Sequence, residues 1–355
     1  MNAPFPLCRE SIAPIDLRDP GEAARIEGFV AAMPGNLPFH RPTWLQAVEQ
    51  STGQRATGLV AEKGGVVTGW LPLTEVHSPL FGRALVSSGF AIGGGVLAER
   101  TSTAQALCEV AQEMAMRRHC PTVELRGGYL PEGWDITQDS HCNFAGPLAT
   151  DDEAQLLAIP RKQRAEVRKG LAEDLEISIG TGEDDRAAHY AVYAESVRNL
   201  GTPVFPRALF DTMLDMFGDS ADILTLRHQG VPVASVLSFY HGDSVMPYWG
   251  GGVWAARRLR ANERMYFELM LHARKRGYDR FDFGRSKTNS GPYFFKKNWG
   301  FEPEVLSYAS WAAPGHAKRN VDPTSDSYSR KIELWKKLPL SVANRIGPVI
   351  AKGLA

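Results

Sequence analysis

Cysteine is scarce in this chain. Its 355 residues include only Cys8, Cys108, Cys120 and Cys142. They are too few for a disulfide framework and too far apart for a metal knot, so they read as reduced, mostly buried thiols. Net charge is absent as well: 40 basic residues balance 40 acidic ones. Without a global field, any polyanionic partner has to be met by a local patch. No apolar run reaches the length of a membrane span, and the opening MNAPFPLCRESIAPI holds no apolar signal core. A cytoplasmic protein is therefore expected, with neither metal nor bound cofactor. What remains, 43% hydrophobic and 23% charged residues, is the composition of a globular chain long enough for two domains.

The most informative stretch is RFDFGRSKTNSGPYFFKKNWGFEP, residues 280–303. Phe281 and Phe283 alternate with Asp282, which predicts a short strand ending at Gly284. A loop with Arg285, Ser286 and Lys287 follows. Lys296 and Lys297 then stand inside a block of aromatics, Tyr293 to Phe301. Aromatic walls lower the local dielectric, so an ammonium among them acts strongly on a developing negative charge. The other reading is an aromatic core segment with two snorkelling lysines. In an extended or loop conformation the two lysines point different ways. Lys296, held by Phe294, Phe295 and Trp299, would keep its charge through Asp282 or a bound phosphate.

The two halves of the chain repeat one order of elements. In the first, strands at 58–62, 66–75 and 84–90 lead to Gly93-Gly94-Gly95, a helix near 103–119 and a strand at 122–125. In the second, strands at 223–227, 233–240 and 245–249 lead to Gly250-Gly251-Gly252, a helix near 258–276 and the strand at 280–283. Gly94 and Gly251 lie 157 residues apart, and Glu124 and Asp282 lie 158 apart. The expectation is a duplicated α+β unit, each with a mixed, mainly antiparallel sheet flanked by helices. The division expected is 1–155, 156–312 and a linker with basic tail over 313–355. Pro247 falls inside a strand, where a residue without a backbone N–H is tolerated if pairing is broken there or if the strand is an edge.

Between the halves, IPRKQRAEVRKG places proline at a helix start and glycine at its end. Arg161, Arg164 and Arg168 then share one helix face, suited either to phosphate or simply to solvent. The loop SVRNLGTPVFPR, with Arg198 and Arg207, is polar and rich in proline, as ligand loops are. The tail from Tyr328 carries six basic residues against Glu333, interleaved with Trp335 and aliphatics. It is suited to an anionic membrane surface or to folding back on the body.

These segments resemble a known family. IPRKQRAEVRKG resembles the proline–basic helix of the Fem family, SVRNLGTPVFPRALF resembles its substrate loop, and FFKKNWGF is similar to its phenylalanine–lysine motif, matched here by Phe295 and Lys296. The resemblance spans about residues 40–310. IPRKQRAEV, YAESVRNLGTPVFPR, FDFGRSK and the Trp335–Gly353 tail look closer still to FemAB-related proteins of the exosortase/PEP-CTERM and exopolysaccharide-associated branch. The resemblance implies two tandem GNAT-like units, each with strands four and five splayed into a cleft. It also implies transfer of an amino acid from aminoacyl-tRNA onto an envelope precursor. Two features depart from the pattern. The coiled-coil arm of some members is missing, since no long heptad segment exists. The glycine-rich acyl-CoA loop is replaced by Arg257-Arg258-Leu259-Arg260-Ala261-Asn262, which argues against CoA in the second unit.

The leading expectation is thus a Fem-type aminoacyl or acyl transferase acting on a phosphorylated envelope or polysaccharide precursor. Lys296 would be the electrostatic catalyst, with Asp282 as a base or a structural acceptor. Arg161, Arg164 and Arg168 would hold phosphates, with Arg198, Arg207, Tyr248, Arg285, Lys287 and Phe295 as further cleft residues. A CoA-dependent N-acyltransferase and a non-catalytic subunit recruited to the membrane are the alternatives.

Overall fold

The computed structural model describes residues 9–317, 319 and 326–354, with side chains in the last segment from 331 onward. Cys8, the linker positions 318 and 320–325, and the side chains of Tyr328 and Arg330 lie outside the described residues. The chain begins with β1 (Ser11–Pro14), α1 (Pro20–Ala32), α2 (Pro42–Thr52), β2 (Arg55–Lys63), β3 (Val66–Ser78) and β4 (Gly82–Val86). It continues through β5 (Leu97–Ala98), α3 (Thr101–Arg117), β6 (Thr122–Arg126), β7 (Asp135–Thr137) and β8 (His141–Pro147). Next come α4 (Asp152–Ala158), α5 (Arg161–Ala172), β9 (Glu176–Gly180), α6 (Glu183–Leu200) and α7 (Arg207–Phe217). The second set of long strands is β10 (Ala221–His228), β11 (Val231–His241) and β12 (Ser244–Gly252), followed by α8 (Ala261–Lys275) and β13 (Arg280–Asp282). The remainder is β14 (Ser286–Lys287), α9 (Gly291–Asn298), β15 (Pro303–Val305), β16 (Tyr308–Ala312), α10 (Asp326–Lys336) and α11 (Leu340–Ala351).

Two mixed sheets result, in the orders β1-β2-β3-β4-β6-β16-β7 and β14-β8-β13-β12-β11-β10-β9, with β5 on β3 and β15 on β8. Both faces of each sheet are covered. In the first, Leu59, Leu71 and Val123 meet Leu107 and Ala111 of α3, while Val60 and Trp70 meet Ile26, Val30 and Leu45 of α1 and α2. In the second, Leu224, Val236 and Phe281 meet Met265, Leu269 and Met270 of α8, while Phe239 and Trp249 stack on Phe217 and Phe210 of α7. Strands covered on both sides bury consecutive residues, which is why Ile223, Leu224 and Leu226 of β10, with Thr225 between them, all vanish from solvent.

The units do not follow the contiguous division 1–155, 156–312 and 313–355. One consists of the described residues up to Gln138 with 307–319 and 353–354; the other is Asp139–Leu306 with 326–352. The sixth strand of the first sheet, β16, comes after the whole second unit in sequence, and pairs antiparallel with β6 from Tyr308↔Arg126 to Ala312↔Thr122. The sixth strand of the second sheet, β8, comes before that unit's helices, and pairs with β13 from Arg280↔Pro147 to Asp282↔Ala145. Short, isolated strands carry too weak a pattern to show this exchange in sequence.

Elsewhere the corrections are local. The expected strand over 84–90 stops at Val86, since Ser88 and Phe90 adopt positive φ. Lys296 and Lys297, weighed in an extended or loop conformation, stand instead on the helix α9, with Ser290 capping the Tyr293 N–H and proline in its first turn. Cys108, Cys120 and Cys142 are unpaired and buried. The basic tail folds back on its unit as α10 and α11: a Cβ on Gly201 would strike Ile332, and one on Gly347 would meet the Val204 backbone nitrogen at 3.1 Å.

The exchange of strands predicts that fragments cut at residue 155 do not fold alone. Fragment 1–155 lacks β16, and fragment 156–355 lacks β8. Neither should show a cooperative melting transition by circular dichroism, whereas the two expressed together should. A cooperative transition in either fragment alone would contradict this.

Candidate active site

The second sheet opens in its middle. β12 and β13 run parallel but pair only at Ser244↔Arg280 and Val245↔Phe281. Two residues further along β12 stands Pro247, which has no N–H to continue the ladder. The register with β11 also shifts between Leu237↔Trp249 and Ser238↔Pro247, so Tyr248 is the extra residue of a bulge. From there β12 stays with β11 as far as Gly252, and β13 turns to its other neighbour, β8.

Side chains from α8 and α9 enter the gap. The Tyr266 ring lies 4.7 Å from Phe283 and 5.8 Å from Phe295, centroid to centroid. On the β12 side, a Cβ on Gly250 would be 3.4 Å from the Tyr266 hydroxyl. Among the described residues that hydroxyl takes no hydrogen-bond partner, and burial pushes its pKa up to about 12. Tyr266 thus spans the parted strands with a free donor at its tip.

Lys296 reaches the same place from α9. Its Nζ donates to the carbonyl oxygens of Gly284 at 2.9 Å and Arg285 at 2.8 Å. The rings facing it are Phe283 at 5.6 Å and Phe144 at 5.9 Å, not the expected Phe294, which is 50% exposed. Trp299 and Phe295 stack on Tyr266 and Phe283 as part of the aromatic wall. The charge partner also differs from the expectation: no ion pair within hydrogen-bonding reach joins Lys296 to Asp282 among the described residues. Burial lowers the Lys296 pKa, Asp282 partly offsets this and Arg285 adds to it, leaving the amine at about 7. Two of three ammonium hydrogens are committed to carbonyls, leaving one for a bound group. Lys297, the next residue on the helix, is exposed.

Asp282 is held by the Gly284 N–H at 2.9 Å and by Asn143 Nδ2 at 3.1 Å. Burial raises its pKa, and these donors only partly counter it. Asn143 and Phe144 belong to β8, a strand the sequence reading missed. Its signal was slight, two buried alternate residues, Cys142 and Phe144. Tyr266 was missed too, because one tyrosine among the apolar residues of α8 is indistinguishable from core.

Arg161, Arg164 and Arg168 line one open groove of about 460 Å³ with Ala165, Lys169 and Ala172. Arg164 also donates to the Leu157 carbonyl at 3.0 Å. The start of α5 lies close to the end of α9: Gly300, at φ +91°, follows α9, and a Cβ there would lie 3.1 Å from Pro160. The other end of α5 presses on α8, where a Cβ on Gly170 would sit 2.7 Å from the Arg260 carbonyl oxygen.

Arg260 has φ +50° just before α8, and its Nε pairs with Glu166 Oε2 at 2.6 Å. Glu263, in the first turn of α8, has a pKa raised by burial and accepts from its own backbone N–H. An acidic group therefore occupies a helix N-terminus that a pyrophosphate would otherwise face.

The other expected cleft residues divide. Tyr248 lies at the bulge, edge-on to Trp249 and Phe239. Arg285 and Lys287 follow β13, with Lys287 in register with His141 of β8. Arg198 and Arg207 make contacts between helices: Arg198 of α6 donates to the Lys336 carbonyl of α10 at 3.2 Å, and Arg207 of α7 pairs with Glu183 of α6 at 2.6 Å and with Asp211 at 3.3 Å.

The Lys296 environment makes a direct prediction. NMR of lysines labelled at Cε should show one amine titrating near pH 7, lost in Lys296→Met. If every lysine titrated near its ordinary 10.5, the buried-ammonium geometry would be wrong. The sign for stability follows from a lowered folded-state pKa. The cost of burying the charged amine is fully present below about pH 7 and fades as pH rises toward 10.5, so the native chain should gain on Lys296→Met across that window.

Residues 161–297 match the family model described as an acetyltransferase (GNAT) domain. The fold is similar to that of FemX, at a TM-score of 0.63 and 13% identity, covering 84% of this chain and 96% of that one. It is also similar to a tandem GNAT protein from the clavulanic acid biosynthesis pathway, at 0.56 and 13%, covering 87% and 100%. L-PGS from Bacillus licheniformis aligns at 0.53 and 13%, covering 84% and 93%. No curated protein matches the sequence. The chain has a tandem GNAT-like fold, with the parted strands β12 and β13 and Lys296 inside the region that matches the GNAT acetyltransferase domain.

Proposed function

We propose that the chain is a Fem-type aminoacyl or acyl transferase that forms an amide bond on a phosphorylated cell-envelope or exopolysaccharide precursor. The observation that carries this reading is the Lys296 ammonium, held by two carbonyls at the parting of β12 and β13 with its third hydrogen uncommitted. The acceptor amine attacks the donor carbonyl carbon, and the C–N bond forms as the carbonyl oxygen takes up negative charge. The third Lys296 N–H stabilises that oxygen or the departing one. The ester C–O bond then breaks, and the surplus amine proton ends on the leaving oxygen. Arg161, Arg164 and Arg168 bind phosphates of acceptor or donor beside the cleft, through the bidentate contacts that guanidinium groups favour. The exopolysaccharide or exosortase setting rests on the sequence resemblance alone.

A CoA-dependent N-acyltransferase is the second reading, favoured by the family model over 161–297. Arg260 and Glu263 at the start of α8 count against it, and titration with acetyl-CoA separates the two. Binding of acetyl-CoA at micromolar strength would favour this second reading.

The test of catalysis compares Lys296→Ala with Lys297→Ala, using an aminoacyl-tRNA donor and extracted lipid-linked precursors. Loss of one preplaced oxyanion donor costs roughly 100- to 1,000-fold in turnover. Lys296→Ala should lose about that much with ligand affinity kept, and Lys297→Ala should be nearly silent. Turnover that depends on the charged ammonium should also fall as pH rises through about 7. Equal, mild effects of both substitutions would reduce the site to a binding surface. The Arg161→Ala, Arg164→Ala, Arg168→Ala triple variant should lose phosphate-dependent affinity; full retention would leave that helix a solvated face.

A further inference from the structure

The fold-back of the tail leaves a second face of α11 without a cover. Ala343, Gly347 and Ala351 recur at i, i+4 and i+8 and are buried. Val342, Ile346 and Val349, at i, i+4 and i+7, point the other way and are exposed, Val349 at 75%. Arg345, also exposed, neighbours both Val342 and Val349 on the helix surface, three residues from one and four from the other. On α10, Leu334 is exposed as well. The described side chains from 331 to 352 include Lys331, Lys336, Lys337, Arg345 and Lys352 against the single acid Glu333.

A further exposed aromatic is tied to α6, the helix on which α10 and α11 pack. Trp254, 69% exposed, carries the Arg257 guanidinium 4.3 Å above its ring, and its backbone N–H donates to Glu195 of α6 at 3.3 Å. One turn along α6, Arg198 donates to the Lys336 carbonyl of α10. Thus α6 holds Trp254 and the α10–α11 pair at neighbouring points along its length.

Solvent-facing aliphatics accompanied by lysine and arginine, with a tryptophan held by the same supporting helix α6, match the chemistry of one surface: the interface of an anionic bilayer. A protein partner would be selected by shape and buried acids, and a nucleic acid would gain nothing from three exposed aliphatics. We propose that α11, with the end of α10 and Trp254, is a preformed docking face for anionic lipid membranes. The helix lies in the plane of the headgroups and does not span: among the described residues no helix is long and apolar enough to cross a membrane. The proposal stands apart from the transferase reading, since none of these residues belongs to the cleft.

The test is flotation of the full chain with vesicles of phosphatidylcholine alone, or of phosphatidylcholine mixed with phosphatidylglycerol, at low and at physiological salt. The native chain should float with the anionic vesicles only, less at higher salt. Each aliphatic withdrawn from the interface weakens partitioning roughly 10-fold, so Val342→Gln, Ile346→Gln, Val349→Gln together should abolish flotation. Lys337→Gln with Arg345→Gln should weaken it about 25-fold, from about 1 kcal/mol for each basic residue. Unchanged melting temperatures would confirm that these variants stay folded. Flotation of the triple variant equal to native, or failure of the native chain to float with either vesicle, would overturn the proposal. So would a triple variant that turns a dimer into a monomer in size-exclusion while leaving flotation untouched, since the stripe would then be a protein–protein contact.

Discussion

The parting of β12 from β13 is the constraint on which the rest of the second unit depends. Parallel pairing between them lasts for Ser244↔Arg280 and Val245↔Phe281 and ends where Pro247 withdraws a donor and Tyr248 adds a bulge residue. An opened sheet exposes unpaired backbone, so something must satisfy it. β13 keeps its far edge paired with β8 from Arg280 to Asp282, and the Phe283 N–H donates to the Phe144 carbonyl. Past the end of β13 the Gly284 and Arg285 carbonyls accept from Lys296, beside the aromatic wall of Tyr266, Phe283, Phe295 and Trp299. The wall in turn lowers the polarity around Lys296 and moves its proton affinity toward neutrality.

The lysine is kept in this setting by carbonyls and not by a carboxylate. A direct Asp282–Lys296 pair would neutralise the ammonium and hold its pKa high. Two carbonyl acceptors supply hydrogen bonds without a formal charge, so desolvation dominates and the amine stays close to its midpoint at physiological pH. Asp282, for its part, is engaged by Gly284 and Asn143, which fixes the turn that presents the two carbonyls. Its position is explained by that role.

The first unit has the same parting but closes it. β4 and β6 pair in parallel only at Leu85↔Val123 and Val86↔Glu124. Past that point the Ser87 N–H donates to the Glu124 carbonyl, Ser87 Oγ accepts the Arg126 N–H, and Arg126 reaches the Ala91 carbonyl. The Tyr308 hydroxyl bonds to the Ile92 carbonyl. Here the chain's own residues fill the space between the parted strands, whereas in the second unit the Tyr266 hydroxyl and one Lys296 hydrogen are left for something else.

The sequence by itself determined the elements whose signals are local. The paired order of strands, triple glycine, helix and strand recurs because each element needs only its own periodicity and turn residues, and the pattern survives in both halves. Arg161, Arg164 and Arg168 come together because helical spacing alone puts them on one face. Lys296 stands apart from Lys297 because adjacent residues diverge in a helix as they do in a strand. Tertiary structure decided whatever needs a partner distant in sequence. β8 and β16 carry no local sign of which strand they pair with, and only closure of the sheets assigns each to the unit that its place in the chain does not suggest. Likewise Arg198 and Arg207 carry the residue type of a ligand loop, yet the acceptors nearest them in space are Lys336, Glu183 and Asp211. A guanidinium goes to whichever acceptor the fold brings within reach, and that distance is set by packing rather than by sequence spacing.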